Sequence, residues 1–377
     1  MVSSNKNHLL FPKDINFPRT VFSGWGRISE LFSISNRFGQ KGLIIHSRSF
    51  KAYGFLESAL AQKEQGLEVH FWQYEGGEPG LSDLEALLDQ TRDKKIDWLI
   101  AAGGGSVLDL GKACATLYNC SGPVEAYLQG QEIQATGVPC IAVPSTAGTG
   151  SEATKVSVLI NEKTGVKNGF RSPHMLPQVV ILDPELLTFC PARVIAHSGM
   201  DALTQAIESY ISLGATWFTE QLALKGMHLI SRGIIPMHHK SKDRKYAEDM
   251  LLGSFLIGIA FSASRLGVVH GLAHPLGARF NIPHGQVCAV CLPVAIEFNR
   301  KVVNEKYKDM SDAIGQDLLE RIRFLLTELN IKNPFSGQKI KNQESLIREV
   351  VKSGSTKHNP REVTGGDVKM LLKEICA

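Results

Sequence analysis

Three things are scarce in this chain, and each scarcity removes a class of function. There is no excess of charge: 41 Lys and Arg stand interspersed among 37 Asp and Glu, for a net charge of +4. Nucleic acid and anionic membrane surfaces therefore find no basic footprint, and a small-molecule partner is expected. Paired cysteines are missing too, because Cys114, Cys120, Cys140, Cys190, Cys288, Cys291 and Cys376 are odd in number and scattered. Cys288 and Cys291 form a C-x-x-C, but inside the apolar run VCAVCLPVAI and without a second pair, so core packing is their expected role. The opening stretch MVSSNKNHLLFPKDINF lacks an apolar segment and a small-residue cleavage site, and no later run is expected to reach membrane-spanning length. The expected location is the cytoplasm.

What is present is enough for two cores. At 377 residues and 43% hydrophobic content, two domains are the natural division. The first half alternates β-rich runs (GLIIHS, LEVHFWQY, IDWLIAAGGG, PCIAVPS) with helical patterns such as LSDLEALLDQTRDKK, which predicts βαβ units in a parallel sheet. VSVLINEKTGVKNGF reads as a hairpin-like excursion before VVILDPELL. From about Pro191 a period of 3.6 dominates, predicting a nearly all-helical second domain. The expected boundary separates residues 1–187 from 188–377. The polar segment at 332–345 is expected to be a surface loop.

Two helical pairs carry the chemistry of the second half: Asp201 with Gln205 in GMDALTQAIE, and His270 with His274 in HGLAHPLGARFNIPHG, which also contains His284. An i,i+4 spacing puts both members of a pair on one helix face, so Asp201, Gln205, His270 and His284 can converge on one cation. Gln205 is the odd member, because a neutral amide oxygen is a poorer ligand for a transition metal than imidazole. Taken alone, the histidines are equally readable as helix residues satisfied by packing against Asp201.

Two loops carry the chemistry of the first half. Gly103 to Gly105 end a strand and open a helix, where backbone N–H groups and the helix N-terminus can receive a pyrophosphate; alone, they could also be a tight connection. Asp109, four residues on, either points back to that site or caps its helix. PSTAGTGSEAT offers Ser145, Thr149 and Thr154 as donors to phosphate, ribose or a nicotinamide amide, with glycines that permit close approach. Two such loops at strand ends point to a dinucleotide in a crevice of the sheet.

GGGSVLDLGK, PSTAGTGSEAT, DPELL, GMDALTQAIE and HGLAHPLGARFNIPHG, in that order and over most of the chain, resemble the iron-containing (group III) alcohol dehydrogenase family. The resemblance implies an α/β Rossmann-like N-terminal domain with a parallel sheet, then an all-α C-terminal domain, on a dehydroquinate synthase-like plan with the site between them. It implies that Gly104, Gly105 and Ser106 bind pyrophosphate and that Ser145, Thr149, Thr154, Lys167 and Val194 line the nucleotide site. Asp201, Gln205, His270 and His284 fall on the family's four metal-ligand positions, for Fe2+ or Zn2+. His274 falls on a non-ligand histidine near the nicotinamide and is the candidate proton relay. A homodimer is the default assembly.

Three departures from the family pattern locate where specificity differs. Gln205 stands where the family usually has histidine; it can ligate the metal, contact substrate, or mark drift towards metal-free catalysis as in the related maleylacetate reductases. Retention of Asp201, His270 and His284 weighs against the last, because a buried carboxylate needs a partner. Where many members carry an aspartate for the ribose of NAD, this chain has Ser47 and then Arg48, so the cofactor is written NAD(P). Arg265 and Arg279 suggest a substrate with a carboxylate or phosphate, such as a sugar acid or hydroxy acid. The expected activity is hydride transfer between a nicotinamide and an alcohol carbon. The alternatives are a lyase-like relative of dehydroquinate synthase, a metal-independent reductase, and a catalytically silent dinucleotide-binding protein.

Overall fold

Six parallel strands form the frame that positions the nucleotide loops. They are β1 (Thr20–Ser23), β2 (Lys41–Ser47), β3 (Glu68–Tyr74), β4 (Trp98–Gly103), β5 (Cys140–Pro144) and β8 (Val179–Leu182). In this computed structural model the described residues are 9–377 except 62, 64, 65, 134 and 135. The reading of the opening stretch therefore falls partly outside them, as does the end of the helical pattern after β2.

The sheet order is β1-β8-β5-β4-β2-β3, with all pairings parallel. The chain passes from β2 to β3 on one side and returns to β4 on the other, so the order reverses between β2 and β4. Ligands of open α/β sheets bind outside the strand C-termini at such a switch point. Here those C-termini are Ser47 and Gly103. Ile44, Ile100, Ile141 and Ile181 occupy four adjacent strands and are fully buried in one cluster, as expected for a sheet covered on both faces.

The helices of this unit are α1 (Leu31–Ser35), α2 (Arg48–Ala52), α3 (Phe55–Ala61), α4 (Leu81–Thr91), α5 (Gly105–Leu117) and α6 (Val124–Leu128). Gly111 lets α5 lie close on the sheet, since a Cβ there would stand 2.4 Å from that of Ala101 on β4. The expected excursion is a two-stranded antiparallel ribbon of β6 (Val156–Asn161) and β7 (Val166–Arg171). β1 was not legible: it is a short, mostly exposed edge strand without an apolar pattern.

The second unit is helical: α7 (Ala192–Ile211), α8 (Trp217–His238), α9 (Arg244–Ser264), α10 (Val268–Phe280), α11 (His284–Arg300), α12 (Asn304–Ile314), α13 (Leu318–Glu328), α14 (Gln343–Lys352) and α15 (Gly365–Ile375). The units divide at Cys190 and Pro191, with two exchanges: residues 9–15 cluster with the helices, and Lys242–Leu251 with the sheet. The N-terminal exchange rests on Trp217 and Phe218 N–H groups donating to the carbonyls of Leu9 and Leu10.

Contrary to the sequence expectation, α9 is long and apolar enough to cross a membrane, but 67% of its apolar window is buried within the protein, as in a core helix. The 332–345 segment is a loop that is not wholly superficial, because Phe335 is fully buried and meets Phe280 edge-on at 5.4 Å.

Candidate functional site

One face of α7 presents Asp201, Gln205 and Glu208, each no more than 4% exposed. The i, i+4, i+7 spacing aligns them. α11 packs against this helix through Gly285, whose absent Cβ would lie 2.2 Å from the His197 carbonyl. α10 begins at Gly267, where a Cβ would stand 2.8 Å from Glu208 Oε1. That clearance lets Glu208 reach the helix start: Oε1 accepts from the Val269 N–H at 2.6 Å, and Oε2 lies 2.6 Å from His270 Nδ1. An anion at a helix N-terminus is favoured, and the same anion fixes one proton of His270 on Nδ1, so that the Nε2 lone pair is the one a cation can take.

That lone pair faces a cluster. His270 Nε2 is 3.4 Å and His284 Nε2 3.7 Å from Asp201 Oδ1. Cys288 Sγ is 3.6 Å from His284 Nε2 and 4.0 Å from His270 Nε2. Donor atoms of Asp201, His270, His284 and Cys288 all lie within 4.8 Å of one another. Asp201 Oδ1 is buried without a hydrogen-bond partner, as is Gln205 Oε1. A buried carboxylate oxygen left unpaired among imidazole nitrogens and a thiol is costly unless a cation completes it, so the residues fit a divalent metal.

The electrostatics agree. Burial alone would raise the Asp201 pKa, but His284, His270 and Cys288 bring it below the usual value. Burial opposes charge on His270, yet Cys288, Asp201 and Glu208 hold its pKa well above the ordinary imidazole value. The surroundings thus stabilise positive charge at this point. Burial pushes the Cys288 thiol up to about 12. His274 is half-buried one turn along α10, with its ring 5.2 Å from that of His284.

Gln205 turns its amide nitrogen towards Asp201, with Nε2 donating to Oδ2 at 3.1 Å. As placed, it orients the carboxylate. Cys288, expected to be packing, stands instead among the metal-binding groups, and Glu208 was not singled out from the sequence. Both were open to the spacing argument: Cys288 is i+4 from His284, and Glu208 continues the face of Asp201 and Gln205.

In the sheet unit, Gly103 pairs with Pro144, so the two predicted loops leave adjacent strands side by side, and the Ser145 N–H donates to the Gly103 carbonyl at 2.9 Å. Gly104 is the N-cap of α5. Gly105 is needed for close approach, because a Cβ there would be 2.5 Å from Thr149 Cγ2. Ser106 Oγ donates to the Gly77 carbonyl, and Thr149 Oγ1 accepts from the Ser151 N–H. Ser47 caps α2 by accepting from the Phe50 N–H at 3.3 Å.

Several expected contacts are otherwise engaged. The Asp109 carboxylate is engaged by the second loop and the ribbon: it accepts from Ser151 Oγ and the Val158 N–H and stands 3.5 Å from Lys112 Nζ. Lys112, absent from the sequence reading, is fully buried and donates to the carbonyls of Ser151, Thr154 and Val156 and to Thr154 Oγ1. Thr154 is accordingly 3% exposed and serves the loop's own scaffold. Lys167 pairs with Glu78 at 2.6 Å, and Arg48 with Glu75. Val194 is an exposed residue of the first turn of α7, in the helical unit. The guanidinium of Arg279 forks onto Glu349 and so is engaged away from the substrate anion expected there.

A parallel sheet with a glycine turn at its switch point, and a helical unit with a buried carboxylate and two convergent imidazoles, are the hallmarks of a dinucleotide- and metal-linked oxidoreductase. Family comparison agrees. Residues 18–184 match the iron-containing alcohol dehydrogenase model, and 195–376 match the C-terminal model of the Fe-containing alcohol dehydrogenase family. Long-chain-alcohol dehydrogenase 1 of Geobacillus thermodenitrificans is 36% identical over 80% of this chain and 77% of its own length. The NADPH-dependent butanol dehydrogenase of Clostridium saccharobutylicum is 31% identical over 94% of this chain and 96% of its own. Among solved structures, sulfoacetaldehyde reductase from Bifidobacterium kashiwanohense in complex with NAD+ superposes with a TM-score of 0.90 at 26% identity, covering 97% of this chain and 98% of that one. The chain belongs to the iron-containing alcohol dehydrogenase family and is an alcohol dehydrogenase or aldehyde reductase, and the family implies a divalent metal and NAD(P).

Proposed function

We propose that this enzyme is metal-dependent and interconverts an alcohol and an aldehyde that carries an anionic group, using NAD(P). The observation that carries the metal dependence is the buried, unpartnered Asp201 Oδ1 between the Nε2 atoms of His270 and His284. Asp201, His270 and His284 would hold the ion. When bound, the metal supplies Lewis acidity to the substrate oxygen, and the nicotinamide gives or takes the hydride.

The chain's own residues supply the rest. Glu208 keeps the proton of His270 on Nδ1, so that Nε2 stays available. His274, half-buried and outside the ligand cluster, is the group to carry the hydroxyl proton towards solvent or return it to a carbonyl oxygen. Gly104 and Gly105 keep the N-terminus of α5 free of side chains for the pyrophosphate. No carboxylate follows β2, and Arg48 engages Glu75 after β3, so the ribose end of the site does not repel a 2′-phosphate.

Arg265 supports the anionic substrate. It follows α9 with φ of 70°, a left-handed conformation that glycine adopts without strain, so a side chain there costs about 1 kcal/mol. Its side chain is half-buried, and among the described residues its guanidinium has no hydrogen-bond or ion-pair partner.

The test compares sulfoacetaldehyde and succinic semialdehyde with propanal, in the wild type and in Arg265→Leu. The expected result is a KM for the anionic aldehydes raised about 10- to 100-fold by the substitution, as for a lost charge-assisted contact, with propanal little changed. Equal effects on all three would remove Arg265 from substrate recognition.

A further inference from the structure

We infer that Cys288, not Gln205, supplies the fourth metal ligand, so that the centre is an Asp-His-His-Cys site selective for Zn2+ over Fe2+. This rests on the metal dependence proposed above and asks which atoms complete it.

The donor separations carry the inference. Four ligands around Zn2+ at bond lengths of about 2.0–2.3 Å form a tetrahedron whose N···O edges are about 3.4 Å and S···N edges about 3.6 Å. The observed edges are 3.4 and 3.7 Å from Asp201 Oδ1 to the two imidazole nitrogens, and 3.6 and 4.0 Å from Cys288 Sγ to the same nitrogens. Sγ thus stands within a few tenths of an ångström of the expected separation from both imidazole nitrogens, and the whole donor set lies within 4.8 Å. His284 and Cys288 occupy the first and fifth positions of that helix, so one turn of a single element delivers both. Cys288 is fully buried, and the unpartnered Asp201 Oδ1, itself 3% exposed, lies in the same cluster.

Gln205 gives its amide nitrogen to the Asp201 carboxylate, and its Oε1 is buried without a hydrogen-bond partner. An amide group beside a carboxylate must present its N–H, because two acceptor oxygens repel, and Nε2 indeed donates to Asp201 Oδ2. The amide therefore restrains the carboxylate and leaves Oδ1 as the single oxygen for the ion. When the metal binds, the Cys288 thiol releases its proton to solvent and the sulfur coordinates as thiolate, without a change of oxidation state. One thiolate softens a set of two imidazoles and a carboxylate, which adds to the ordinary preference of such sites for Zn2+ over Fe2+.

Cobalt is the probe, because a thiolate ligand gives Co2+ an intense near-ultraviolet charge-transfer band that nitrogen and oxygen ligands do not. Full-length protein is stripped with a chelator and titrated with Co2+. The expected result is this band saturating at one equivalent, together with visible bands of four-coordinate cobalt. Cys288→Ser and Cys288→Ala should each abolish the near-ultraviolet band and weaken Zn2+ binding by about tenfold or more, with circular dichroism unchanged, while Cys291→Ser keeps the band. Cobalt bound with visible bands only would overturn the cysteine ligand and leave the metal site standing. No cobalt bound at all would overturn both.

Discussion

Glu208 and His270 are joined by a 2.6 Å contact between Oε2 and Nδ1, while the other oxygen of Glu208 caps the helix on which His270 rides. One side chain thus sets both the position of the imidazole and its tautomer. In Glu208→Gln, an amide N–H facing Nδ1 would drive the ring proton to Nε2 and close the lone pair. Metal affinity should fall about 10- to 100-fold, as for loss of other groups that orient a ligand, and competition with a chromophoric chelator measures it. Unchanged affinity would mean that His270 does not bind through Nε2.

Gln205 is the second site of substitution. If Cys288 completes the ligand set, Cys288→Ala lacks a donor, and Gln205→His in the same protein returns an imidazole one turn from Asp201. The double variant should bind Zn2+ about tenfold or more tightly than Cys288→Ala alone, without the near-ultraviolet cobalt band. No recovery in the double variant would show that position 205 cannot reach the ion.

Lys112 is the anchor of the second nucleotide loop. Its ammonium is fully buried, donates to three carbonyls and a hydroxyl, and stands beside Asp109. Lys112→Met keeps the volume but strands these acceptors and removes the cation beside the Asp109 carboxylate, so it should destabilise the protein by about 3–5 kcal/mol. Urea unfolding monitored on the sheet unit reads this, and NAD(P)H binding by fluorescence should weaken alongside it. A shift under 1 kcal/mol would contradict the anchoring role (about the worth of one ordinary hydrogen bond).

Glu152 gives a pH signature. Burial raises its pKa from 4.5 to about 7, against partial relief from Lys112, and Oε1 is buried without a hydrogen-bond partner. The folded state therefore holds the proton more tightly than the unfolded state. Stability from this group is fully present below pH 4.5 and is lost as pH rises through about 7, a change of about 3 kcal/mol. Glu152→Gln should flatten that fall and be the more stable protein at pH 8. Parallel denaturation profiles for the two proteins between pH 5 and 8 would refute the assignment.

Much of this was legible in the sequence because it depends on local periodicity. The strands around Ile44, Ile100 and Ile141 are apolar runs with turn residues at their ends, and the glycines at 103–105 announce their own conformation. Asp201, His270 and His284 were found because i,i+4 pairs share a helix face. What was hidden depends on partners far along the chain. Cys288 has the i+4 spacing from His284, yet it sits in a run where a buried packing sulfur and a buried ligand sulfur look alike, and the seating of α11 on α7 through Gly285 separates them. Arg279 meets Glu349, 70 residues away, and Asp109 meets Ser151 across 42. Lys112 looks like the lone basic residue of a largely apolar helix until the carbonyls of the neighbouring loop come into view. The run from α9 into α10 has unbroken helical patterning, yet the helix stops at Ser264, Arg265 turns left-handed, and Gly267 restarts it.

The central claim is that hydride transfer here requires a metal held by Asp201, His270 and His284. Its most direct test is the rate of NAD(P)H formation from alcohols as a function of metal content per chain. The account predicts that chelator-stripped protein loses about 99% of its activity or more, a Lewis-acid contribution of about 3 kcal/mol, and regains it at one equivalent of Zn2+ or Fe2+. Full turnover by protein holding less than about a tenth of an equivalent of any divalent metal would contradict it, since one site needs one ion.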